Sequence, residues 1–268
     1  MQKTIGFIGC GNMAQAIMGS IIKSKIVPRE NIIASAPTLS SRKSVEGKYN
    51  IITTEDNKEV ASKSDYLILA VKPSIYHIVL EEIKDYIRES AIVISIGAGI
   101  SSKFLKDNLN EDTKFIKAMP NTPAMVGEGM TALSPNERLN EGDLDEILEI
   151  FNSLGKTEII DESLMDGFTG LCGSSPAYIF ILIEAMADAG VLEGIPRSKA
   201  YTMSAQSFWG SAKIVLEPGV QPSQLKDNVC SPAGTTIEAV ASLEESGFRT
   251  AIIDAIRVCA DKSREMER

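Results

Sequence analysis

The sequence predicts an α/β protein, with a doubly wound parallel sheet in its first half and an all-α domain after it. In the first half, short runs of β-branched residues alternate with longer segments of helical spacing. This alternation is typical of a parallel sheet covered by helices on both faces. From about Glu162 the strand signal disappears, and long helical stretches follow, broken by glycine and proline. We therefore expect two domains, at residues 1–161 and 162–268.

The hydrophobic pattern places the individual elements along the chain. Strands are expected at Lys3–Ile8, Asn31–Ser35, Tyr66–Val71, Ala91–Ser95 and Lys114–Met119. Helices are expected at Gly11–Ser24, Ile75–Arg88, Ser101–Leu109, Ala177–Gly190, Arg197–Leu216 and Thr250–Glu267. The stretch Ala177–Gly190 is apolar on nearly every side, so it must be covered by other protein, either its own domain or a second subunit.

Composition limits the classes of partner. The chain has 36 acidic and 27 basic residues, a net charge of −9, and no block of lysine or arginine, which argues against nucleic acid and anionic membranes as partners. The start of the chain shows no secretory signal. The most apolar segment, Ala177–Ile183, is shorter than the roughly 20 residues of a membrane span. We expect a soluble cytoplasmic protein with a small ligand.

Metal and disulfide chemistry is not expected. The four cysteines, Cys10, Cys172, Cys230 and Cys259, are widely spaced and form no C-x-x-C pair, and His77 is the single histidine. Neither a zinc site nor a disulfide framework fits this spacing. The cysteines are therefore expected to be reduced thiols, and no residue is expected to bind a metal ion.

The first motif is a dinucleotide cradle at the start of the chain. In KTIGFIGCGNMAQAIM a predicted strand leads directly into Gly9, Gly11 and Ala14, which have G-x-G-x-x-A spacing, and a helix follows. Gly9 permits the tight turn, Gly11 lets backbone approach a pyrophosphate, and Ala14 lets the helix pack close to the strand. The helix start then offers N–H groups and partial positive charge to the phosphates.

The end of the second predicted strand indicates which dinucleotide binds. An NAD-binding domain usually has an acidic residue there for the ribose hydroxyls. The segment IIASAPTLSSRK has hydroxyls and two cations instead, with no acid before Glu46. The relevant residues are Ser35, Ala36, Thr38, Ser40, Ser41, Arg42 and Lys43. This set favours the 2′-phosphate of NADPH, with NADH as the alternative because hydroxyls also hold an unphosphorylated ribose.

A second anion site is predicted near the other end of the chain. Ser231, Pro232, Ala233 and Gly234 form a turn directly before a helix that should start near Thr235. Such a start exposes N–H groups that suit a substrate carboxylate, and Thr235 and Thr236 add hydroxyls. The alternative is ordinary capping of the helix by serine and threonine side chains.

The scarcity of acids favours imine reduction over carbonyl reduction. Reducing a carbonyl needs a protein acid to protonate the developing alkoxide. His77 follows VKPSIY, where it resembles an exposed residue in the first turn of a helix. An imine nitrogen is basic enough to be protonated by solvent, so little protein acid is required. One lysine or aspartate near the reacting group would overturn this interpretation.

Several longer motifs occur in one order along the chain. They are GFIGCGNMAQAI at Gly6–Ile17, LAVKP at Leu69–Pro73, SIGAG at Ser95–Gly99 and AMPNTPA at Ala118–Ala124. They continue as TGLCGSSPAY at Thr169–Tyr178, EAMADAGVLEGIPR at Glu184–Arg197 and LKDNVCSPAGTT at Leu225–Thr236. Over essentially its whole length the chain resembles the pyrroline-5-carboxylate reductase family.

This resemblance implies a Rossmann domain followed by an all-α dimerisation domain, with dimers often gathered into a ring of five. It implies reduction of the C=N bond of Δ1-pyrroline-5-carboxylate to L-proline with NADPH, the last step of proline synthesis. The partners would be this substrate, its product and a second copy of the chain. A β-hydroxyacid dehydrogenase using Lys199 or Lys213, and a non-catalytic dinucleotide-binding protein, are the alternatives.

The resemblance also implies the site residues. The cofactor would contact Ile8, Gly9, Cys10, Gly11, Asn12 and Met13, with Ala36 and Asn57 at the adenosine end. Ala70, Val71, Lys72 and Pro73 would border the ribose and diphosphate, and Ile96, Gly97 and Ala98 the nicotinamide. Glu162 and Asn228 match positions close to the bound ligands. The substrate would contact Ser231, Ala233, Gly234, Thr235 and Thr236, with Thr236 assisting protonation of the ring nitrogen.

The chain departs from the family pattern at several positions. These are Ala233 for glycine, Cys172 for serine, Ser175 for glycine, Lys117 for arginine and Gln221 for histidine. A methyl group at Ala233 would be costly if the backbone there has positive φ. Two residues keep alternative readings: Lys72 could contact cofactor phosphate or cap the sheet edge, and Asn121 could orient a ligand or bond its own turn.

Overall fold

The computed structural model describes residues 1–217, 219 and 221–266. These residues divide into two compact units. The first contains Met1–Gly173 together with the chain from Cys259 onward, and the second contains Ser174–Val258. The first unit is a sheet covered by helices, and the second consists of helices.

The first unit is built on an eight-stranded sheet with the order β3-β2-β1-β4-β5-β6-β7-β8. All neighbouring strands are parallel except β6 and β7. The strands are β1 Ile5–Ile8, β2 Ile32–Ser35, β3 Ile52–Thr54, β4 Tyr66–Leu69, β5 Ile92–Ser95, β6 Lys114–Met119, β7 Gly129–Pro135 and β8 Gly155–Ile159. The five predicted strands are confirmed to within two residues at each end, whereas β3, β7 and β8 were not predicted.

Helices flank this sheet. They are α1 Asn12–Lys23, α2 Leu39–Tyr49, α3 Asn57–Lys63, α4 Tyr76–Ile83, α5 Ser102–Asn108, α6 Glu141–Asn152 and the short α7 Met165–Phe168. The helix predicted at Ile75–Arg88 is shorter than expected, because α4 ends at Ile83 and a 3₁₀ turn, Lys84–Tyr86, follows. α2 was missed because it is polar, with Val45 as its one buried residue.

Both faces of the sheet are buried, which explains why its central strands are continuous apolar runs. Successive residues of a strand point to opposite faces. In β4, Ile68 packs into the core that contains α1, while Leu67 and Leu69 pack into the core that contains α4. The strand β5 divides in the same way between Ile94 and Val93. The doubly wound arrangement predicted from the sequence is therefore confirmed.

The second unit consists of long helices. They are α8 Ser175–Leu192, α9 Arg197–Val215, α10 Pro222–Val229 and α11 Thr235–Glu245, followed by α12 Phe248–Met266, which continues into the first unit. The three predicted helices of this part are confirmed. Glu267, the last residue of the predicted third helix, lies outside the described residues.

Most apolar side chains of helix α8 are exposed among the residues that the structure describes. Pro176 and Ala187 are its buried residues, whereas Phe180 and Ile181 are 60% and 66% exposed. It packs against α9, where Gly190 approaches Ala200 and Arg197 pairs with Asp188. An exposed apolar surface of this kind marks an interaction site.

The apolar helical stretch that contains α8 is longer than the sequence analysis expected. The helical stretch Glu162–Leu192 is long and apolar enough to cross a membrane by length and composition alone, whereas the sequence reading considered the shorter Ala177–Ile183. A single stretch of this kind is weak evidence for a membrane span, because an apolar helix that packs against other protein passes the same test.

Candidate active site

The turn after β1 depends on the backbone of Gly9. Its φ is +104°, and a Cβ there would lie 2.6 Å from the carbonyl oxygen of Ala70. Its N–H donates to the Ser35 carbonyl at 3.0 Å. The turn is thus bonded to the end of β2 and packed on the end of β4, the two neighbours of β1. This is the point where the strand order reverses, at which open α/β sheets bind ligands.

The start of α1 presents free N–H groups. The N-cap residue is Gly11, which has no side chain to accept a hydrogen bond from the first turn. A Cβ on Gly11 would meet no atom within 4 Å, so the absent side chain leaves open space over this turn. Gln15 steadies the turn, because its Nε2 donates to the Cys10 carbonyl at 3.0 Å. The arrangement fits an anionic group bound at the start of the helix.

Arg42 lies in the first turns of α2, and its side chain reaches back to the segment that follows β2, where an acid accompanies it. Its Nη1 donates to the carbonyls of Ala36 at 2.7 Å and Pro37 at 3.3 Å, and its Nη2 lies 3.2 Å from a carboxylate oxygen of Glu55. Glu55 follows the unpredicted strand β3. The sequence has no acid between β2 and Glu46, but Glu55, which lies farther along the chain, pairs with Arg42. Lys43 is exposed in the first turns of α2.

The hydroxyl and amide groups of this region bond one another. Thr38 caps α2, with its Oγ1 accepting from the Ser41 N–H at 3.3 Å. Asn57 accepts from the Ser35 hydroxyl at 2.7 Å and donates to Glu82 at 2.8 Å. These bonds join the end of β2 to α3 and α4, and so hold the backbone next to Ala36 in place.

The loops after β4 and β5 lie side by side. The Ala70 N–H donates to the Ile8 carbonyl at 2.9 Å, and the Ile96 N–H donates to the Leu69 carbonyl at 3.3 Å. The segments Ala70–Pro73 and Ile96–Ala98 therefore follow adjacent strands at the same sheet edge as Gly9. Lys72 is exposed, with extended backbone that leads into the 3₁₀ turn Pro73–Ile75.

Lys117 and Glu162 form a partly buried ion pair beside this edge. The Lys117 Nζ lies 2.6 Å from Glu162 Oε1, which also accepts from the Ser102 N–H at 2.7 Å. Burial alone would raise the pKa of Glu162, but the bonds from Lys117 and Ser102 outweigh burial and lower it. The pair lines a small cavity together with Ser95 and Gly97. Lysine thus pairs with Glu162 at the position where the family usually has arginine.

Asn121, His77 and two cysteines show no feature of a catalytic group in the described residues. Asn121 donates to the Cys172 carbonyl at 2.9 Å and accepts from the Met130 N–H at 2.9 Å, so it bonds the chain's own backbone. His77 is exposed and bonds Asn108. Burial raises the pKa of Cys10 to about 11 and that of Cys172 above its usual range, so these thiols stay protonated.

The predicted substrate turn is present in the second unit. The Gly234 N–H donates to the Ser231 carbonyl at 3.0 Å, which closes the turn, and Ala233 has φ +53°. This is the type II pattern, with proline at the second position and positive φ at the third. Gly234 is the N-cap of α11, so the N-cap position itself carries no side chain that could cap the helix. Serine or threonine does not occupy the capping position that the alternative requires.

Asn228 also lies in the second unit, on α10, and its Oδ1 accepts from Gln224 Nε2 at 2.9 Å. The first unit thus gathers the expected cofactor residues from Ile8 to Ala98 at one sheet edge. The second carries Asn228 and the substrate turn. Sequence reasoning missed Glu55 and Glu82, because β3 was not predicted and Glu82 carries no motif of its own.

Comparisons with known proteins agree along the whole chain. Residues 4–99 match the family model "NADP oxidoreductase coenzyme F420-dependent", and residues 162–266 match "Pyrroline-5-carboxylate reductase dimerisation". The chain is 46% identical to the pyrroline-5-carboxylate reductase of Escherichia coli strain K12, with 100% of both chains covered. The chain belongs to the pyrroline-5-carboxylate reductase family.

Solved structures of pyrroline-5-carboxylate reductases have the same fold. The Plasmodium falciparum enzyme, solved with NADP bound, is 33% identical to this chain and has a TM-score of 0.91. The match covers 99% of this chain and 98% of the Plasmodium chain. The Coxiella burnetii enzyme is 31% identical with a TM-score of 0.93 and full coverage of both chains. Membership in this family disfavours the β-hydroxyacid dehydrogenase alternative and its lysines.

The backbone of Ala233 gives the first prediction. A non-glycine residue in the left-handed region lowers the stability of the fold by about 1–2 kcal/mol. Glycine removes this loss but offsets part of the gain, because its greater entropy in the unfolded chain lowers the free energy of unfolding by about 0.4–1 kcal/mol. We expect Ala233→Gly to raise the free energy of unfolding by about 0.5–1 kcal/mol. The measurement is urea unfolding at fixed protein concentration. The control Ala239→Gly, on exposed α11, should lower it by about 1 kcal/mol; equal losses would contradict this account.

The ion pair of Glu162 gives a pH prediction. Because its folded pKa is lowered, the carboxylate stabilises the fold above the ordinary glutamate pKa of about 4.3. That contribution is lost as the pH falls through the lower folded value. Between about pH 5 and pH 3, the parent should lose more unfolding free energy than Glu162→Gln. The exposed Glu193→Gln should follow the parent, and parallel curves for Glu162→Gln and the parent would exclude this role.

Proposed function

We propose that this chain reduces the C=N bond of Δ1-pyrroline-5-carboxylate to L-proline with NADPH as the hydride donor. The observation that carries the proposal is the uncapped start of α1 behind the Gly9 turn, at the strand-order reversal. The full-length similarity to pyrroline-5-carboxylate reductases supports the substrate. A purely non-catalytic role would leave the second uncapped helix start, at α11, without a ligand.

The first unit would hold the cofactor along the sheet edge that contains Gly9. The N–H groups at the start of α1 would hold the diphosphate, with Ile8, Gly9, Cys10, Gly11, Asn12 and Met13 around it. Ala36 and Asn57 would face the adenosine, and Ala70, Val71, Lys72 and Pro73 the ribose and diphosphate. Ile96, Gly97 and Ala98 would border the nicotinamide, with Glu162 nearby. Asn228, in the second unit, matches a family position close to the bound ligands. When bound, the nicotinamide supplies the hydride.

The substrate turn would bind the carboxylate and orient the ring. The carboxylate would take the N–H groups of Ala233, Thr235 and Thr236, because the Gly234 N–H already donates to the Ser231 carbonyl and closes the turn. Ser231 supports the turn through its carbonyl, and Thr235 adds a hydroxyl beside it. Thr236 would donate a hydrogen bond to the ring nitrogen as this nitrogen gains its proton. Because an imine nitrogen is already basic, this help can be modest.

The proposed assembly is a homodimer formed through residues 162–268, with residues 1–161 as the dinucleotide-binding domain. The exposed apolar side chains of α8 and the match to a dimerisation model support this arrangement. A ring of five such dimers is the proposed larger assembly. We assign the apolar stretch Glu162–Leu192 to subunit contact rather than to a membrane, and the protein to the cytoplasm without nucleic-acid partners.

Turnover with the cyclic imine tests the proposal directly. The parent should oxidise NADPH when pyrroline-5-carboxylate is added, as measured by loss of nicotinamide absorbance. Thr236→Ala should lower kcat by about 10- to 100-fold, because it removes assistance to protonation, and Thr236→Ser should restore most of it. The exposed Thr250→Ala on α12 is the control. A parent that leaves NADPH unchanged would refute the activity.

The Arg42 region predicts the cofactor preference. Arg42→Ala combined with Lys43→Ala should raise the KM for NADPH about tenfold while changing the KM for NADH little, because only NADPH carries the 2′-phosphate. Glu55→Gln should lower the KM for NADPH a few-fold, because the carboxylate near Arg42 no longer competes with the phosphate. If the double variant discriminates between the two cofactors as the parent does, the assignment of Arg42 and Lys43 is wrong.

A further inference from the structure

One buried hydroxyl group bonds the ends of two strands at the proposed nicotinamide site. Tyr76, the first residue of α4, is fully buried. Its Oη donates to the Leu69 carbonyl at 2.7 Å, and the Ser95 hydroxyl donates to Oη at 3.2 Å. Leu69 is the last residue of β4 and Ser95 the last of β5. The phenol therefore lies where the two loops of the site begin.

The ring of Tyr76 also determines which residue can follow in the second loop. A Cβ built on Gly97 would lie 2.7 Å from both Cζ and Oη of Tyr76. The glycine is needed because of this close approach, since the backbone of Gly97 is not among those with positive φ. The tyrosine and the glycine thus fit together as a pair, and the position of the ring limits where the Gly97 backbone can lie.

The phenol stays protonated when the enzyme works. Burial raises the pKa of Tyr76 above its usual range, and the smaller opposing influences of the Ser95 hydroxyl and the Gly97 and Ile96 N–H groups do not reverse this. A protonated phenol donates one hydrogen bond and accepts others. Its donor capacity is used on Leu69 and its acceptor capacity on Ser95.

We propose that Tyr76 is a positioning residue, whose hydroxyl sets the spacing of the loops Ala70–Pro73 and Ile96–Ala98 around the nicotinamide. This inference rests on the proposed function. The direct link between the loops, from the Ile96 N–H to the Leu69 carbonyl, is 3.3 Å long, whereas the phenol bonds that carbonyl at 2.7 Å. Tyr76 lies three residues after Pro73, beyond the end of the motif LAVKP at Leu69–Pro73.

The test compares two buried phenols on either side of β4. Tyr76→Phe removes the hydroxyl and keeps the ring. The matched control is Tyr66→Phe: Tyr66 is the first residue of β4, is buried, and bonds Glu146 rather than any residue of the site. Three quantities are measured for each variant: kcat, the Kd for NADPH, and the Kd for 2′,5′-ADP, a fragment that contains the adenosine end and lacks the nicotinamide.

Tyr76→Phe should lower kcat about 5- to 10-fold and raise the Kd for NADPH by a similar factor, because small misplacements of a reacting group reduce turnover strongly. Its Kd for 2′,5′-ADP should stay within about twofold of the parent, and Tyr66→Phe should match the parent in all three quantities. If Tyr76→Phe raised the Kd for NADPH and the Kd for 2′,5′-ADP by the same factor, the inference would be overturned. Equal kcat values for Tyr76→Phe and Tyr66→Phe would overturn it as well.

Two further arrangements keep the outcome decisive. If the parent does not turn over pyrroline-5-carboxylate, the proposed function fails, and the contrast between NADPH and 2′,5′-ADP still tests Tyr76. If Tyr76→Phe does not fold, Ser95→Ala is used in its place, because Ser95→Ala removes the donor of the hydrogen bond between Ser95 and Tyr76. Ser95→Ala should show the same selective loss of NADPH affinity, and an unchanged Kd for NADPH would overturn the inference.

Discussion

The first unit depends on a backbone conformation that only glycine adopts without strain. At Gly9 the chain leaves β1 with φ +104° and passes so close to Ala70 that no side chain fits. This geometry lets α1 begin immediately above the sheet, with Gly11, which has no capping side chain, as its N-cap. The positive end of the helix and the crevice between β1 and β4 therefore coincide, and the other proposed cofactor contacts are arranged around that point.

The sequence predicts the centre of the fold better than its edges, for a physical reason. The strands β1, β2, β4, β5 and β6 are buried on both faces or nearly so, and continuous apolar runs reveal them. β3 and β8 are edge strands with exposed residues, so their patterns are weak. β7 is buried and was also missed, because glycine, threonine, serine and proline interrupt its apolar run. The polar helix α2 is held by the Thr38 cap and by left-handed Asn50 at its end rather than by an apolar face.

The candidate site was predictable where it depends on backbone and motif. The Gly9 turn and the uncapped start of α11 follow from glycine spacing, and positive φ at Ala233 was foreseen as the costly condition. Contacts between side chains distant in sequence were not predictable. Glu55 reaches Arg42 only because β3 lies beside β2, and Tyr76 reaches Ser95 only because α4 packs over β4 and β5.

The central claim is that two uncapped helix starts bind two anions, one a diphosphate and one a carboxylate. A crystal structure of the protein with NADPH and L-proline tests this most directly. The account predicts the diphosphate on the N–H groups that follow Gly9, and the proline carboxylate about 3 Å from the N–H groups between Ala233 and Thr236. A carboxylate bound away from the segment Ser231–Thr236 would contradict it.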